Sequence, residues 1–237
     1  CDALKRKGKI RFTGISTHGP LVLDRAVAGA VAGEYFDMVM PALNFMQEPT
    51  STLQNALDRA ARRGVGVTAM KVLANARRAQ VRPSGGAPFS HAAIAWALSR
   101  PGVNNLAITI DGPDTLNEYI AASGARLNAA HRLRLARHRA ATSGDYCRVD
   151  CGRCLHACPA GVDIPTILRI DQYRTLYANH EMARERYAGF QGADRLQACR
   201  ECPEPACEKA CPFGLPVRAR LALAQRELDP SAKAAHA

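Results

Sequence analysis

Eight of the nine cysteines lie in the last 91 residues of this 237-residue chain, in two groups that each end in Cys-Pro. The first group is Cys147, Cys151, Cys154 and Cys158, and the second is Cys199, Cys202, Cys207 and Cys211. Each group places four thiols within 13 residues or fewer. Thiols spaced this closely are typical of metal ligands, so this part of the chain is predicted to fold around metal.

Zinc and disulfides are the simpler interpretations of such cysteines. Structural zinc takes two Cys-x2-4-Cys pairs separated by a longer spacer, which these compact groups lack. Disulfide frameworks belong to short secreted domains, whereas these pairs stand inside a much longer chain. Both alternatives are therefore disfavoured. Cys1 stands alone, and no role is assigned to it.

The spacing of both groups resembles that of bacterial two-cluster ferredoxins, in which Cys-x2-Cys-x2-Cys-x3-Cys-Pro holds iron–sulfur clusters. In those proteins the fourth cysteine of each run ligates the other cluster. The resemblance implies two 4Fe-4S clusters with exchanged ligands. One would be held by Cys147, Cys151, Cys154 and Cys211, the other by Cys199, Cys202, Cys207 and Cys158. A direct assignment, four consecutive cysteines to a cluster, uses the same eight residues and stays open.

Length and composition limit the remaining possibilities. The chain has room for one sizeable domain and a small second one, and 47% apolar residues can form a core. We expect no membrane span, because no run of 18 apolar residues occurs without a charge or a break. Residues 1–140 carry 19 Lys and Arg against 9 Asp and Glu. Only 5% of residues are aromatic and no stacking motif is present, so no nucleic-acid partner is expected.

The chain opens at Cys1 without an initiator Met or a signal peptide. We expect it to be a piece of a longer protein, with any targeting information in the missing part. A cytoplasmic location is expected, and export as a folded protein stays open because the N-terminus is missing.

Strand and helix patterns alternate over the first 124 residues. Short apolar strands are predicted at Ile10 to Ile15, Phe36 to Met40, Val65 to Lys71 and Asn105 to Thr109. Helices are predicted at Leu21 to Ala32, Ser51 to Arg63, Ser90 to Ser99 and Pro113 to Ala122. Four consecutive βα units imply an α/β fold with a parallel sheet, either doubly wound or closed as a barrel.

Three segments resemble the aldo/keto reductases. KGKIRFTGIST is similar to their fifth strand, GVGVTAMKVL to their seventh, and AIAWALSRPGVNNLAITIDGPDTLNEYI to their last strand and helices. The resemblance implies that residues 1–124 form the second half of a (β/α)8 TIM barrel. Residues 125–145 would be a basic helical linker. Residues 146–237 would form a mainly α-helical, ferredoxin-like 4Fe-4S domain with helices at Ile164 to Tyr177 and Glu181 to Phe190.

The same resemblance implies a nicotinamide-dependent oxidoreductase that acts on a small carbonyl or alcohol substrate, with two 4Fe-4S clusters coupled to or stabilising that chemistry. The family's catalytic Asp, Tyr, Lys and His belong to the first four strands, so they would lie upstream of Cys1 and none is assigned here. The alternative is a non-catalytic barrel scaffold carrying an electron-transfer ferredoxin module. Either reading allows a redox partner protein.

Four residues are the expected contacts of NADP or NAD: Ser16, Thr17, Lys71 and Asp111. Thr17 replaces the family's Asn, and Met40 and Met70 stand where a Gln and an aromatic residue are usual. Asp111 stands where relatives place a cation for the 2′-phosphate, so the choice between NADP, NAD and no nicotinamide cofactor stays open. A basic loop is predicted from Lys71, Arg77, Arg78, Arg82, Gly85 and Gly86. It is either suited to pyrophosphate or an ordinary solvated loop, and both interpretations stay open.

Overall fold

The computed structural model describes residues 1–31, 36–47, 51–73, 88–148, 151–190 and 196–229. The chain divides into two units, Cys1–Ala140 and Ala141–Ala237. The division falls inside the stretch expected to link the two domains. The first unit and the helix that ends it contain α1 Asp2–Arg6, β1 Gly14–Thr17, α2 Pro20–Val31, β2 Met38–Pro41, α3 Ser51–Arg63, β3 Gly66–Met70, α4 Phe89–Leu98, β4 Asn105–Ala107, α5 Pro113–Ala122 and α6 Ala129–Thr142. The second contains α7 Arg153–Ala157, α8 Ile164–Tyr177, α9 His180–Ala188, α10 Gln197–Arg200, α11 Ala206–Lys209 and α12 Val217–Leu228.

The sheet of the first unit is parallel throughout, with its strands in chain order β1-β2-β3-β4. The register pairs Thr17 with Pro41 and Met70 with Ala107. This confirms a mixed α/β fold with a small parallel sheet. Among the described residues, β1 and β4 each pair on one side only, so closure into a barrel is not part of this structure.

Several element boundaries differ from the predicted ones. The first strand begins at Gly14 rather than Ile10, because Thr13 is tied to the loop before β2: its amide donates to Asp37 Oδ2 at 2.7 Å. The basic helix begins at Ala129 rather than 125, since Asn128 Oδ1 accepts from the His131 amide at 2.9 Å. Helix α12 was not predicted, although its buried Val217, Leu221 and Leu228 recur at helical spacing.

The core of the first unit lies between the sheet and its helices. Helix α3 buries one face against the sheet, with Leu53, Ala56, Leu57 and Ala60 all buried. These positions follow the spacing i, i+3, i+4 and i+7 that places residues on one side of a helix. Burial of Leu57 contributes about 1.5–3 kcal/mol. The packing of α3 on the sheet holds the strands in place. It thereby also positions the residues at the carboxyl ends of the strands.

The core of the second unit is formed by α8, α9 and α12, with buried Ile164, Ile167, Tyr187 and Leu221 among its members. Helix α8 begins at a capped residue, because Asp163 Oδ1 accepts from the Thr166 amide at 3.2 Å. Six of the eight clustered cysteines pack against this core. Among the described residues, no helix is both long and apolar enough to cross a membrane.

Candidate metal centre

The two cysteine groups are followed by the same local structure. Cys158 and Cys211 each precede a proline and, three residues on, a glycine whose amide donates to the cysteine's carbonyl, at 3.1 Å for Gly161 and 3.3 Å for Gly214. The chain then buries an apolar residue and enters a long helix, α8 or α12. These two helices pack on each other, as do the short helices α7 and α11 that carry Cys154 and Cys207. The centre is therefore built from a repeated half.

The thiol of Cys147 lies beside cysteines from both groups. Burial raises its pKa to about 12, and the neighbouring thiols that raise it further are Cys154, Cys151 and Cys211. Cys211 is distant in sequence and comes from the second group. The thiols that raise the pKa of Cys147 are the ones that would share its cluster in the exchanged-ligand arrangement.

Cys199 shows the complementary grouping. Burial raises the pKa of its thiol, and the neighbouring thiols that raise it further are Cys158, Cys207 and Cys202. The two sets adjoin through α7 and α11, because Cys207 also raises the pKa of Cys154, which burial brings to about 11. Which cysteines ligate which cluster in the metal-loaded protein stays a prediction, and the thiol positions favour exchange.

The surroundings of the sulfurs suit an iron–sulfur cluster. All eight thiols are half-buried, so they are partly shielded from water and partly accessible from the surface. The Val162 amide donates to Cys158 Sγ at 3.4 Å, and amide donors to sulfur are a means of adjusting cluster potential. Gln172 Nε2 donates to the Cys147 carbonyl at 2.9 Å and holds that segment against α8. The residues present therefore fit the clusters that their spacing implies.

Within the described ranges, no three His, Cys, Asp or Glu side chains converge closely enough to hold a single metal ion. A 4Fe-4S core is several atoms wide, so its four thiolates do not meet at one point. When bound, each cluster supplies one-electron transfer.

Arg148 is part of this centre, although the sequence analysis did not single it out. Its side chain is 5% exposed and lies between the rings of Tyr146, at 4.1 Å, and Phe213, at 4.4 Å. Nη1 donates to the carbonyls of Ser143, at 2.9 Å, and Tyr146. A basic residue directly after a ligand cysteine was the available signal.

A family model described as a 4Fe-4S dicluster domain matches residues 141–218. The match contains all eight cysteines of both groups. No curated protein matches the chain. Residues 141–218 thus match a 4Fe-4S dicluster domain, and such a domain indicates an iron–sulfur, electron-transfer role for this part of the protein.

The predicted nicotinamide contacts follow the strands of the other unit. Ser16 and Thr17 end β1, and Lys71 follows β3, so the three lie at the carboxyl edge of the sheet. The Thr17 hydroxyl accepts from the Gly19 amide at 3.0 Å. Lys71 is exposed and has φ 61°, an uncommon conformation for a residue with a side chain and one that functional loops often contain.

Asp111 lies beyond β4, where its carboxylate accepts from Thr115 Oγ1 at 2.6 Å in the first turn of α5. Met40 and Met70 are half-buried. Arg77, Arg78, Arg82, Gly85 and Gly86 lie outside the described residues.

A cavity of about 350 Å³ lies at the other end of the sheet. Its walls come from residues at the beginnings of β2, β3 and β4, among them Met38, Val65, Gly66 and Asn104. Ligands of α/β barrels bind at the carboxyl ends of the strands. This cavity is consequently not the expected cofactor site.

Proposed function

We propose that this chain is the second half of an aldo/keto-reductase-like barrel joined to its 4Fe-4S dicluster domain, and that the protein is a nicotinamide-dependent iron–sulfur oxidoreductase. Exposed apolar side chains at both ends of the sheet carry the proposal for the barrel. Phe12, Leu21 and Val22 lie before β1 or on the helix after it, and Ile110, Leu116 and Ile120 lie after β4 or on the helix that follows it.

These residues are large and 41–68% exposed. An open strand edge flanked by exposed apolar residues favours pairing with further strands. A parallel sheet in strict chain order with two such ends needs four more βα units to close as an eight-stranded barrel. The proposal places those units, and the catalytic Asp, Tyr, Lys and His of the family, upstream of Cys1 in the natural protein.

The carboxyl edge of the sheet is the proposed nicotinamide site. A bound nicotinamide cofactor supplies or accepts a hydride. The Ser16 hydroxyl can orient the carboxamide, because it is exposed at the end of β1 and can both donate and accept a hydrogen bond. The exposed ammonium of Lys71 can bind the pyrophosphate as a point charge.

A specific set of contacts favours the second candidate, a barrel scaffold that does not bind nicotinamide and serves an electron-transfer module. The Thr17 hydroxyl is engaged by its own turn, and the resemblance aligns Asp111, a carboxylate, with the cation that relatives use for the 2′-phosphate. The two candidates differ in whether the natural protein binds NADPH or NADH at all.

Cofactor titration of the natural full-length protein distinguishes them. We expect no strong preference for NADPH over NADH in the wild type. Asp111→Arg should strengthen NADPH binding by about tenfold or more, since a repulsion becomes a charge-assisted bond. Asp114→Arg is the matched control: it makes the same charge change in the first turn of α5 and should have a smaller effect.

Two results would contradict the proposal. Absence of binding of either cofactor would favour the scaffold. A clear NADPH preference in the wild type that Asp111→Arg leaves unchanged would show that Asp111 points away from the site.

A further inference from the structure

The buried guanidinium of Arg148 has hydrogen-bond donors without an acceptor among the described residues. Nη1 is engaged by two carbonyls, whereas Nε and Nη2 are buried without a hydrogen-bond partner among the described residues. A buried donor without an acceptor is costly, and more so when it carries charge. Stacking on Tyr146 and Phe213 offsets part of that cost but provides no acceptor in the plane of the fork.

Two of the predicted cluster ligands are among the ionisable groups near Arg148, and a cluster on them would supply the missing acceptor. The ionisable groups are Tyr146, Cys147, Cys211 and Asp145. Cys147 and Cys211 come from different cysteine groups, and they share a cluster only in the exchanged arrangement. A cluster held by these two thiolates, with Cys151 and Cys154, would place a second anion, besides the Asp145 carboxylate, next to the Arg148 guanidinium.

We propose that Arg148 sets the reduction potential of the cluster held by Cys147, Cys151, Cys154 and Cys211, donating from Nε and Nη2 to that cluster's sulfurs and raising its affinity for an electron. On reduction one electron enters the cluster from an external donor, and the cluster gains one negative charge. Arg148 keeps its proton throughout. A fixed positive charge and hydrogen bonds to sulfur both stabilise the more negative state.

The other cluster has a different electrostatic environment among the described side chains. The cation that faces Cys199 is Arg218, which is exposed and therefore screened by solvent. The carboxylate of Glu208 faces Cys207. Arg148 would thus raise the potential of one of the two clusters and not of the other. An electron entering the domain would then reduce that cluster preferentially. The inference rests on the two clusters and not on the proposed nicotinamide chemistry.

Redox titration monitored by EPR tests this in the metal-loaded protein, with dithionite as the reductant. In Arg148→Gln we expect the equilibrium constant for taking up one electron to fall at least tenfold at one cluster, which lowers its midpoint potential by about 59 mV or more. The midpoint potential of the other cluster should stay unchanged. Arg148→Lys keeps the positive charge but loses the planar guanidinium, so the midpoint potential should fall by less in this variant. Arg169→Gln is the matched control, because Arg169 also faces Cys147 but is exposed.

Iron content and the EPR signal of each variant separate tuning from assembly. Arg148→Gln with full iron and wild-type potentials would overturn the proposal, and so would equal shifts of both clusters. If Arg148→Gln loses iron, Arg148→Lys decides: full iron with one lowered potential supports the proposal, and full iron with unchanged potentials overturns it. Loss of the first cluster in both variants would also overturn it, since Arg148 would then build the site rather than set its potential.

Discussion

Cys158 and Cys211 distinguish the two ways of assigning eight ligands to two clusters. In the chain each follows three cysteines of its own group, yet in the fold Cys158 faces Cys199 and Cys211 faces Cys147. The cause is the packing of α7 on α11, which brings the two halves of the repeat together. Under exchange, removal of Cys158 damages the cluster of the second group.

Alanine substitutions at three positions test the exchange. The wild type should contain about eight iron and eight sulfide per chain. We expect the EPR signal that survives in Cys158→Ala to match the one in Cys199→Ala and to differ from the one in Cys147→Ala. A match between Cys158→Ala and Cys147→Ala instead would establish the direct assignment, and two zinc with no sulfide would refute the clusters altogether.

Tyr187 places a hydroxyl in the core of the second unit. The side chain is 3% exposed, and its Oη has no hydrogen-bond partner among the described residues. Burial, and secondarily the charge of Asp229, raise the pKa of this phenol to about 12. A buried hydroxyl without a partner destabilises the fold, so its removal relieves a cost.

We therefore expect Tyr187→Phe to leave the free energy of unfolding at pH 7 unchanged or raised by about 1 kcal/mol. The unfolded tyrosine ionises near pH 10 and the folded one near pH 12, so the wild type should lose stability as pH rises between these values. Tyr187→Phe should lose less over that range. Chemical denaturation from pH 8 to 12 provides the comparison. A loss of stability at pH 7 would show that the hydroxyl is bonded after all.

The turn between α4 and β4 has to pass very close to α3. Gly102 has φ 80°, and a Cβ built there would lie 2.6 Å from the Leu57 carbonyl oxygen and 3.2 Å from Ala61 Cβ. The contact lets β4 pair with β3 while α3 stays packed on the sheet. Gly124, after α5, has a similar φ of 78° but nothing within 4 Å of its built Cβ.

Alanine substitutions at the two glycines distinguish the cost of backbone strain from the cost of a steric clash with α3. Gly124→Ala should cost about 1 kcal/mol for the left-handed conformation alone. Gly102→Ala should cost at least about 2 kcal/mol more, because the backbone of α3 has to move. Urea unfolding followed by far-UV circular dichroism measures both. Equal losses would show that the turn can relax without disturbing α3.

The two ends of the sheet are expected to determine whether the 237-residue chain self-associates in solution. Both carry large exposed apolar side chains, and the described strands leave both edges open. Such surfaces drive self-association in water. The second unit has its own apolar core, built on α8, α9 and α12, and does not depend on the sheet for it.

We expect the 237-residue chain to self-associate at micromolar concentration, and the double variant Leu21→Glu, Ile120→Glu to weaken that association by about tenfold or more. Leu133→Glu is the control, since Leu133 is 52% exposed but belongs to α6, which follows the last βα unit of the sheet. Sedimentation velocity gives the comparison. A monomeric wild type, or an equal effect of Leu133→Glu, would remove the support that the sheet ends give to the half-barrel.

Local patterns were sufficient to predict the type of most of the long elements and the presence of a 4Fe-4S domain. Helices Pro113–Ala122 and Ile164–Tyr177 have the bounds that the sequence predicts, because a proline in the first turn marks where each begins. The alternation of βα units likewise predicts a parallel sheet, since only a helical crossover joins parallel neighbours. The eight cysteines are recognisable from spacing alone, because a cluster needs its thiolates close together.

Tertiary packing decided the rest. The start of β1 depends on Asp37, 24 residues away from its partner Thr13, which no local pattern encodes. The proximity of Cys211 to Cys147 and of Cys158 to Cys199 follows from the docking of two similar halves across about 50 residues of chain. The burial of Arg148 follows from the same docking, because Phe213 of the second half covers its guanidinium. Spacing specifies which atoms can bind metal, whereas long-range contacts specify which of them meet and what charge they face.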